Sequence, residues 1–202
     1  DTDSFPKRVC WIGTADGDFI DGVVLGTIVN TNTGSSTGPA YTDYSSSEST
    51  QLTIGGTYGI TVTSGNYSPD HYAAWIDLDQ DDVFEATEKL GEFTNTSVFQ
   101  AMALTFTVPN NALLGSTRLR VRGVYHANGE PDPTDPCFAY AYGETEDYSV
   151  NIGISTGLAN TTGSSMLLAQ VEGGILMTLP SDVPPTGRWQ VFDGSGRMVL
   201  QG

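Results

Sequence analysis

A period of two in the apolar residues constrains this chain more than any other feature. In "TRLRVRGVY" (117–125) Leu119 and Val121 alternate with Arg118, Arg120 and Arg122. In "EDYSVNI" (146–152) Tyr148, Val150 and Ile152 alternate with Asp147, Ser149 and Asn151. The same period places Tyr58, Ile60 and Val62 on one face of "TYGITVTS", and Tyr72, Ala74 and Ile76 on one face of "HYAAWID". It also aligns Gln100, Met102, Leu104, Phe106 and Val108 in "FQAMALTFTVP". Successive side chains of a strand point to opposite faces, so each segment reads as a strand. "DGVVLGTIVN" (21–30) reads as a single first strand. Turn signals such as Gly55-Gly56 and Pro109 separate the runs, and helical spacing is hard to find. The pattern predicts an all-β fold, an antiparallel β-sandwich of jelly-roll or Ig-like type, over residues 1–153.

Past Ile152 the texture changes. "GISTGLANTTGSS" is small and polar, which predicts a linker over 154–164. "MLLAQVEGGILMTLP" and "RWQVFDGSGRMVLQG" then read as strands of a partial second β unit over 165–202, with a tight turn at Asp193-Gly194-Ser195-Gly196. Fewer than 40 residues are too few for another sandwich, so this unit is expected to be cut short at Gly202.

The charge balance narrows the partners. With 24 acidic against 8 basic residues the net charge is −16, the wrong sign for a nucleic-acid partner. It suits a soluble extracellular protein or one that collects divalent cations. No apolar stretch approaches the length of a membrane span. No amino-terminal segment reads as a signal peptide, as expected of a mature or trimmed product. Cys10 and Cys137 are too few for a zinc cluster, because His71 and His126 lie in neither neighbourhood. A disulfide between them is favoured over free thiols and implies an oxidising compartment. Closing so long a loop would stabilise by about 4–5 kcal/mol in the chain-entropy view.

"WIDLDQDDVFEATEKLGE" (75–92) crowds six carboxylates between Asp77 and Glu88, which repel one another in water unless a positive charge sits among them. Counted from Asp77 as position 1, oxygen-bearing side chains fall at 1, 3, 5, 9 and 12: Asp77, Asp79, Asp81, Glu85 and Glu88. Position 7 is Val83, which offers only its backbone carbonyl. That is the ligand schedule of a twelve-residue calcium loop, and hard oxygen ligands select calcium. The flanking helices of the helix-loop-helix version are absent, and Asp82 occupies the turn position that favours glycine. The competing reading is a solvated acidic turn.

A second acidic group is "YGETEDYSV", where Glu144 and Glu146 share the inward parity of Tyr148, Val150 and Ile152, with Asp147 beside them. Carboxylates facing inward need a cation or an arginine, the candidates being the arginines of 118–122 or a metal; otherwise the sheet ends early and the acids are wet. Catalysis is not expected. The serines and threonines sit in turn-like runs such as "YSSSEST" with no Gly-x-Ser-x-Gly elbow, and His71 and His126 read as surface or rim residues. Trp11, Tyr41, Tyr44, Tyr67, Tyr125, Tyr140 and Tyr142 leave open either a sugar-stacking surface, which needs exposed coplanar rings, or caps on the core.

"WIDLDQDDVF", "STRLRVRGVY", "DPC" at 135–137 and "GETEDYSV", with "YTDYSS" at 41–46 and Cys10, occur in the order and spacing of the GEVED domain family. The chain resembles that family over about residues 8–153. Gly115, Thr117, Arg118 and Arg120 match its arginine strand, and Gly143, Glu144, Glu146, Asp147 and Tyr148 its name motif. Thr145 stands for the motif's valine, and Asp82 for a glycine. The resemblance implies a β-sandwich accessory module of secreted bacterial proteins, found alongside peptidase or adhesin domains, with no catalytic residues to carry over. The tail resembles the first half of a type IX secretion sorting domain through Val191, Asp193, Gly196, Arg197 and Val199. Together these lead to the expectation of a non-catalytic, calcium-stabilised module, secreted or attached to the cell surface. Its partners would be the type IX secretion machinery and a glycan or surface protein. The alternative is a carbohydrate- or protein-binding adhesin module, or an accessory domain of a secreted peptidase.

Overall fold

The computed structural model describes residues 12–36, 40–125, 135–137, 139–154, 167–171, 174–178, 190–192 and 198–201. The chain divides into two units, Asp1–Ile154 and Ser155–Gly202. In the first, strands β1 (Ile12–Thr14), β2 (Ile20–Leu25), β3 (Ile28–Thr31), β4 (Tyr41–Asp43), β5 (Ser49–Thr53) and β6 (Thr57–Ser64) precede the acidic stretch's strand β7 (Asp70–Ile76). One 3-10 turn, Ala86–Glu88, leads into β8 (Lys89–Thr94), followed by β9 (Ala101–Thr107), β10 (Gly115–Tyr125) and β11 (Tyr140–Gly153).

These strands form the two sheets of a β-sandwich. The smaller is antiparallel throughout, in the order β3-β2-β6-β9. The larger runs β1-β11-β10-β7-β8, with β4 and β5 also on β11. It is mixed, not purely antiparallel as the sequence suggested: β1, β4 and β5 all run parallel to β11. They take successive places along it, opposite Tyr140–Tyr142, Thr145–Asp147 and Ser149–Gly153. Fourteen residues of one strand are thus covered piecewise by three short ones.

The segment expected to be one first strand is a hairpin. Leu25 pairs with Ile28 around Gly26, whose φ of +58° lies in the left-handed region. A Cβ there would fall 2.2 Å from Thr50 Oγ1, so the position needs glycine for both reasons. Val23, Leu25 and Ile28 all point into the core, and the odd spacing between the last two marks the turn.

The alternating residues meet between the sheets. Ile20, Val23, Leu25, Ile60, Val62, Met102 and Phe106 from the smaller sheet pack on Tyr72, Ala74, Ile76, Leu119, Val121, Tyr148, Val150 and Ile152 from the larger. In the second unit β12 (Leu167–Val171) pairs with β13 (Gly174–Thr178), and β14 (Gln190–Phe192) with β15 (Met198–Gln201), each antiparallel. The expected turn at Asp193–Gly196 lies outside the described residues, as do residues 155–164 of the expected linker. Among the described residues no helix is long and apolar enough to cross a membrane.

Candidate metal centre

The acidic loop starts where β7 runs out of partners. Asp77 N donates to Arg118 O at 3.0 Å, and the Thr117 hydroxyl donates to Asp77 O. The chain then folds back over the Asp77 carboxylate, which is buried and accepts from Asp81 N at 3.3 Å and Asp82 N at 3.2 Å. The fold-back needs two left-handed residues, Gln80 at φ +57° and Asp82 at φ +67°. Asp82 thus adopts the conformation a glycine would, at a cost of about 1 kcal/mol. Asp81 Oδ1 accepts from Val83 N at 2.8 Å; the Val83 side chain is exposed.

Glu88 closes the loop from its far end. Its buried carboxylate accepts from the backbone N–H of Leu78, Asp79 and Glu85, so three loop donors converge on one side chain. Burial pushes Glu88 up to about 7, against the lowering effect of those donors. Burial also raises Asp77, again opposed by backbone N–H groups.

The carboxyl oxygens of Asp77, Asp79 and Asp81 lie within 4.8 Å of one another, and so do those of Asp79, Glu85 and Glu88. Asp79 belongs to both groups, so all five carboxylates singled out by spacing converge in two overlapping sets able to hold a metal ion. The donors are all oxygens, a set suited to calcium. No helices flank the loop; β7 precedes it, and one 3-10 turn and β8 follow.

Glu144, Glu146 and Asp147 are not among these converging sets, because the strand sends them to different faces. Of the arginines expected to answer Glu144 and Glu146, Arg118 and Arg120 instead hold Asp147, on the outer face, and Arg122 donates to Thr145 Oγ1 and Asp135 O. Arg120 Nε and Nη2 each donate to Asp147 at 2.8 Å, and Arg118 Nη1 lies 3.4 Å from Asp147 Oδ2. The Tyr41 hydroxyl donates to the same Oδ2 at 2.9 Å. On the inner face Glu144 accepts from Ile20 N at 2.9 Å and Ser36 N at 3.0 Å, which ties β11 to the smaller sheet. Glu146 accepts from the Tyr148 hydroxyl at 2.7 Å. Burial, reinforced by the Glu144 charge, pushes Glu146 well above the usual carboxylate range. All three acids are buried, so the sheet does not end before them.

Between the acidic loop and the arginines lies a cavity of about 240 Å3, lined by Asp77, Asp82, Phe84, Arg118, Arg120 and Cys137 among others. The Arg120 guanidinium sits 5.0 Å from the Phe84 ring centroid. No motif pointed to Phe84; its role depends on the loop's path, which spacing does not reveal. Tyr67, Tyr125 and Tyr142 form an edge-to-face cluster with interplanar angles of 72° and 87°, so these rings do not make a coplanar sugar platform. Tyr44 stacks on Tyr148, and Tyr140 lies under Arg122. His71 Nδ1 lies 2.8 Å from Thr94 Oγ1. Cys137 is not a free thiol. Its expected partner Cys10, together with Trp11 and His126, lies outside the described residues.

Residues 71–151 match the GEVED domain. The match runs from β7 into β11 and takes in the acidic loop, the arginine strand and the Gly143–Tyr148 motif, though it is less than half of the chain. No curated protein matches the chain.

Asp147→Asn leaves the buried Arg120 without its anionic partner and is expected to lower the unfolding free energy by about 3–5 kcal/mol. Replacing both residues with leucine should cost less. Urea denaturation of the two variants measures the difference.

Proposed function

We propose that residues 1–153 are a secreted or cell-surface, non-catalytic β-sandwich module that binds calcium in the 77–88 loop. The observation that carries this reading is the convergence of Asp77, Asp79, Asp81, Glu85 and Glu88. Asp82 in a glycine conformation and Glu88 holding three backbone donors support it, since both shape the loop around that convergence. The ion would neutralise the crowded carboxylates and brace the connection between β7 and β8. At a hundred times its dissociation constant it would stabilise the folded state by about 2.7 kcal/mol. The melting temperature is expected to fall in chelator and to return with calcium. Asp77→Asn/Asp79→Asn should weaken that response, and Asp82→Gly should keep it. A melting temperature indifferent to chelator overturns the reading.

For residues 165–202 the proposed role is a sorting segment for the type IX secretion machinery, supported by the Val191, Asp193, Gly196, Arg197 and Val199 theme. Fused to a reporter with completing strands, the segment should direct export in a host carrying that machinery. Retention of the fusion in the cell sinks the proposal.

The cavity between the loop and the arginines favours a second reading, a carbohydrate- or protein-binding adhesin module or accessory domain. A glycan array should then show binding that calcium sustains and Phe84→Ala removes; the absence of any bound glycan counts against the carbohydrate form.

A further inference from the structure

A second carboxyl pair is buried far from the acidic loop. Asp18, just before β2, and Asp70, the first residue of β7, are 4% and 0% exposed. Each keeps its Oδ1 without a hydrogen-bond partner. The two carboxyls lie within hydrogen-bonding reach of one another. Their surroundings are otherwise committed: Asp70 N donates to Asn95 Oδ1 at 2.6 Å. The Tyr72 hydroxyl sits between Phe19 O at 3.0 Å and Asp70 Oδ2 at 3.3 Å.

Among the described residues, the side chains that act on the pair from its surroundings are Asp16 and Tyr72, and neither is a cation. Burial is the first cause that raises both carboxyls; Asp18 raises Asp70 further, to about 8, whereas the hydrogen bond from Asp70 lowers Asp18 and the Asp16 charge raises it. One shared proton would still leave a negative charge in the interior beside Asp16, and an unpaired buried charge is costly. A divalent cation cancels both charges and gives both Oδ1 atoms a partner. We propose that Asp18 and Asp70 hold a second divalent cation, calcium by its oxygen donors, that clamps β2 of the smaller sheet to β7 of the larger. The site stands at the opposite end of β7 from Asp77, ~23 Å away at ~3.3 Å per residue, so the two sites should load independently.

The test is calcium titration of the full chain by isothermal calorimetry, with terbium emission excited through Tyr72 as a second readout. The wild-type chain is expected to bind one equivalent more than Asp70→Asn or Asp18→Asn. Terbium emission should be lost in Asp70→Asn and kept in Asp77→Asn/Asp79→Asn. The equivalent remaining in that double variant reads the Asp18–Asp70 site without altering it, so a folding defect at position 18 or 70 does not remove the test. The same variant separates this proposal from the one for the acidic loop. Asparagine at 70 can donate to Asp18 and so imitates a shared proton. The proposal is overturned if both Asn variants bind as much calcium as wild type. It is overturned equally if Asp70→Asn is as stable as wild type and wild-type stability falls as pH rises through about 8.

Discussion

The outer face of the larger sheet is organised around one buried ion pair. Asp147 and Arg120 are 0% and 2% exposed and meet through two hydrogen bonds of 2.8 Å. Removing both charges from water is costly, and only this two-pronged geometry with further partners offsets it. Those partners come from several separate segments. Tyr41 reaches Asp147 from β4, Arg118 from β10, and the Pro136 carbonyl accepts from Arg120 Nη1 at 3.3 Å. Phe84 of the acidic loop lies against the same guanidinium. Edge strand, acidic loop and Cys137 segment therefore share one polar anchor, which fixes their arrangement more than it adds to stability.

The strand carrying Asp147 treats its two faces differently. Outward, its acid meets arginine. Inward, Glu144 accepts from the backbone N–H of Ile20 in the opposite sheet and of Ser36, while Glu146 accepts from a tyrosine hydroxyl, keeps its Oε1 without a partner and is pushed well above the usual carboxylate range by burial. Glu144 thus works as a cross-sheet hydrogen-bond acceptor. Three short parallel strands along the same backbone complete the sheet where a single long partner is missing.

Much of this was legible in the residues. Alternation located β6, β7, β9, β10 and β11, because each exposes one apolar face to the core and period two reports that directly. Ligand spacing singled out Asp77, Asp79, Asp81, Glu85 and Glu88, which do converge. What escaped depended on pairing between distant segments. The β2–β3 hairpin was hidden because Val23, Leu25 and Ile28 keep an apolar run continuous across Gly26. The parallel partners β1, β4 and β5 are three to five residues long, too short for a period to show. The partner of Arg120 follows from its register opposite Asp147, which appears only once β10 is laid against β11. Parity set the arginines opposite Leu119 and Val121 but did not show what meets them there, which is Phe84, Tyr140 and the Asp135–Cys137 segment.

The setting of the acidic loop decides what a bound cation can do. In helix-loop-helix proteins the ion reorients flanking helices that are free to swing. Here both flanks are adjacent antiparallel strands in fixed register, with Trp75 opposite Lys89 and Asp77 bonded to the next strand over. The binding energy of the proposed ion would therefore go into closing the loop against its own carboxylate repulsion, with the strands left in place. The loop is tied outward at Leu78 and Gln80, which bond to the Leu113 backbone, and at Phe84, which touches the guanidinium that the outer face is built on. Phe84 also lines the cavity beside Arg118 and Arg120, so the loop proposed to hold an ion would act on that face as a brace, not a switch.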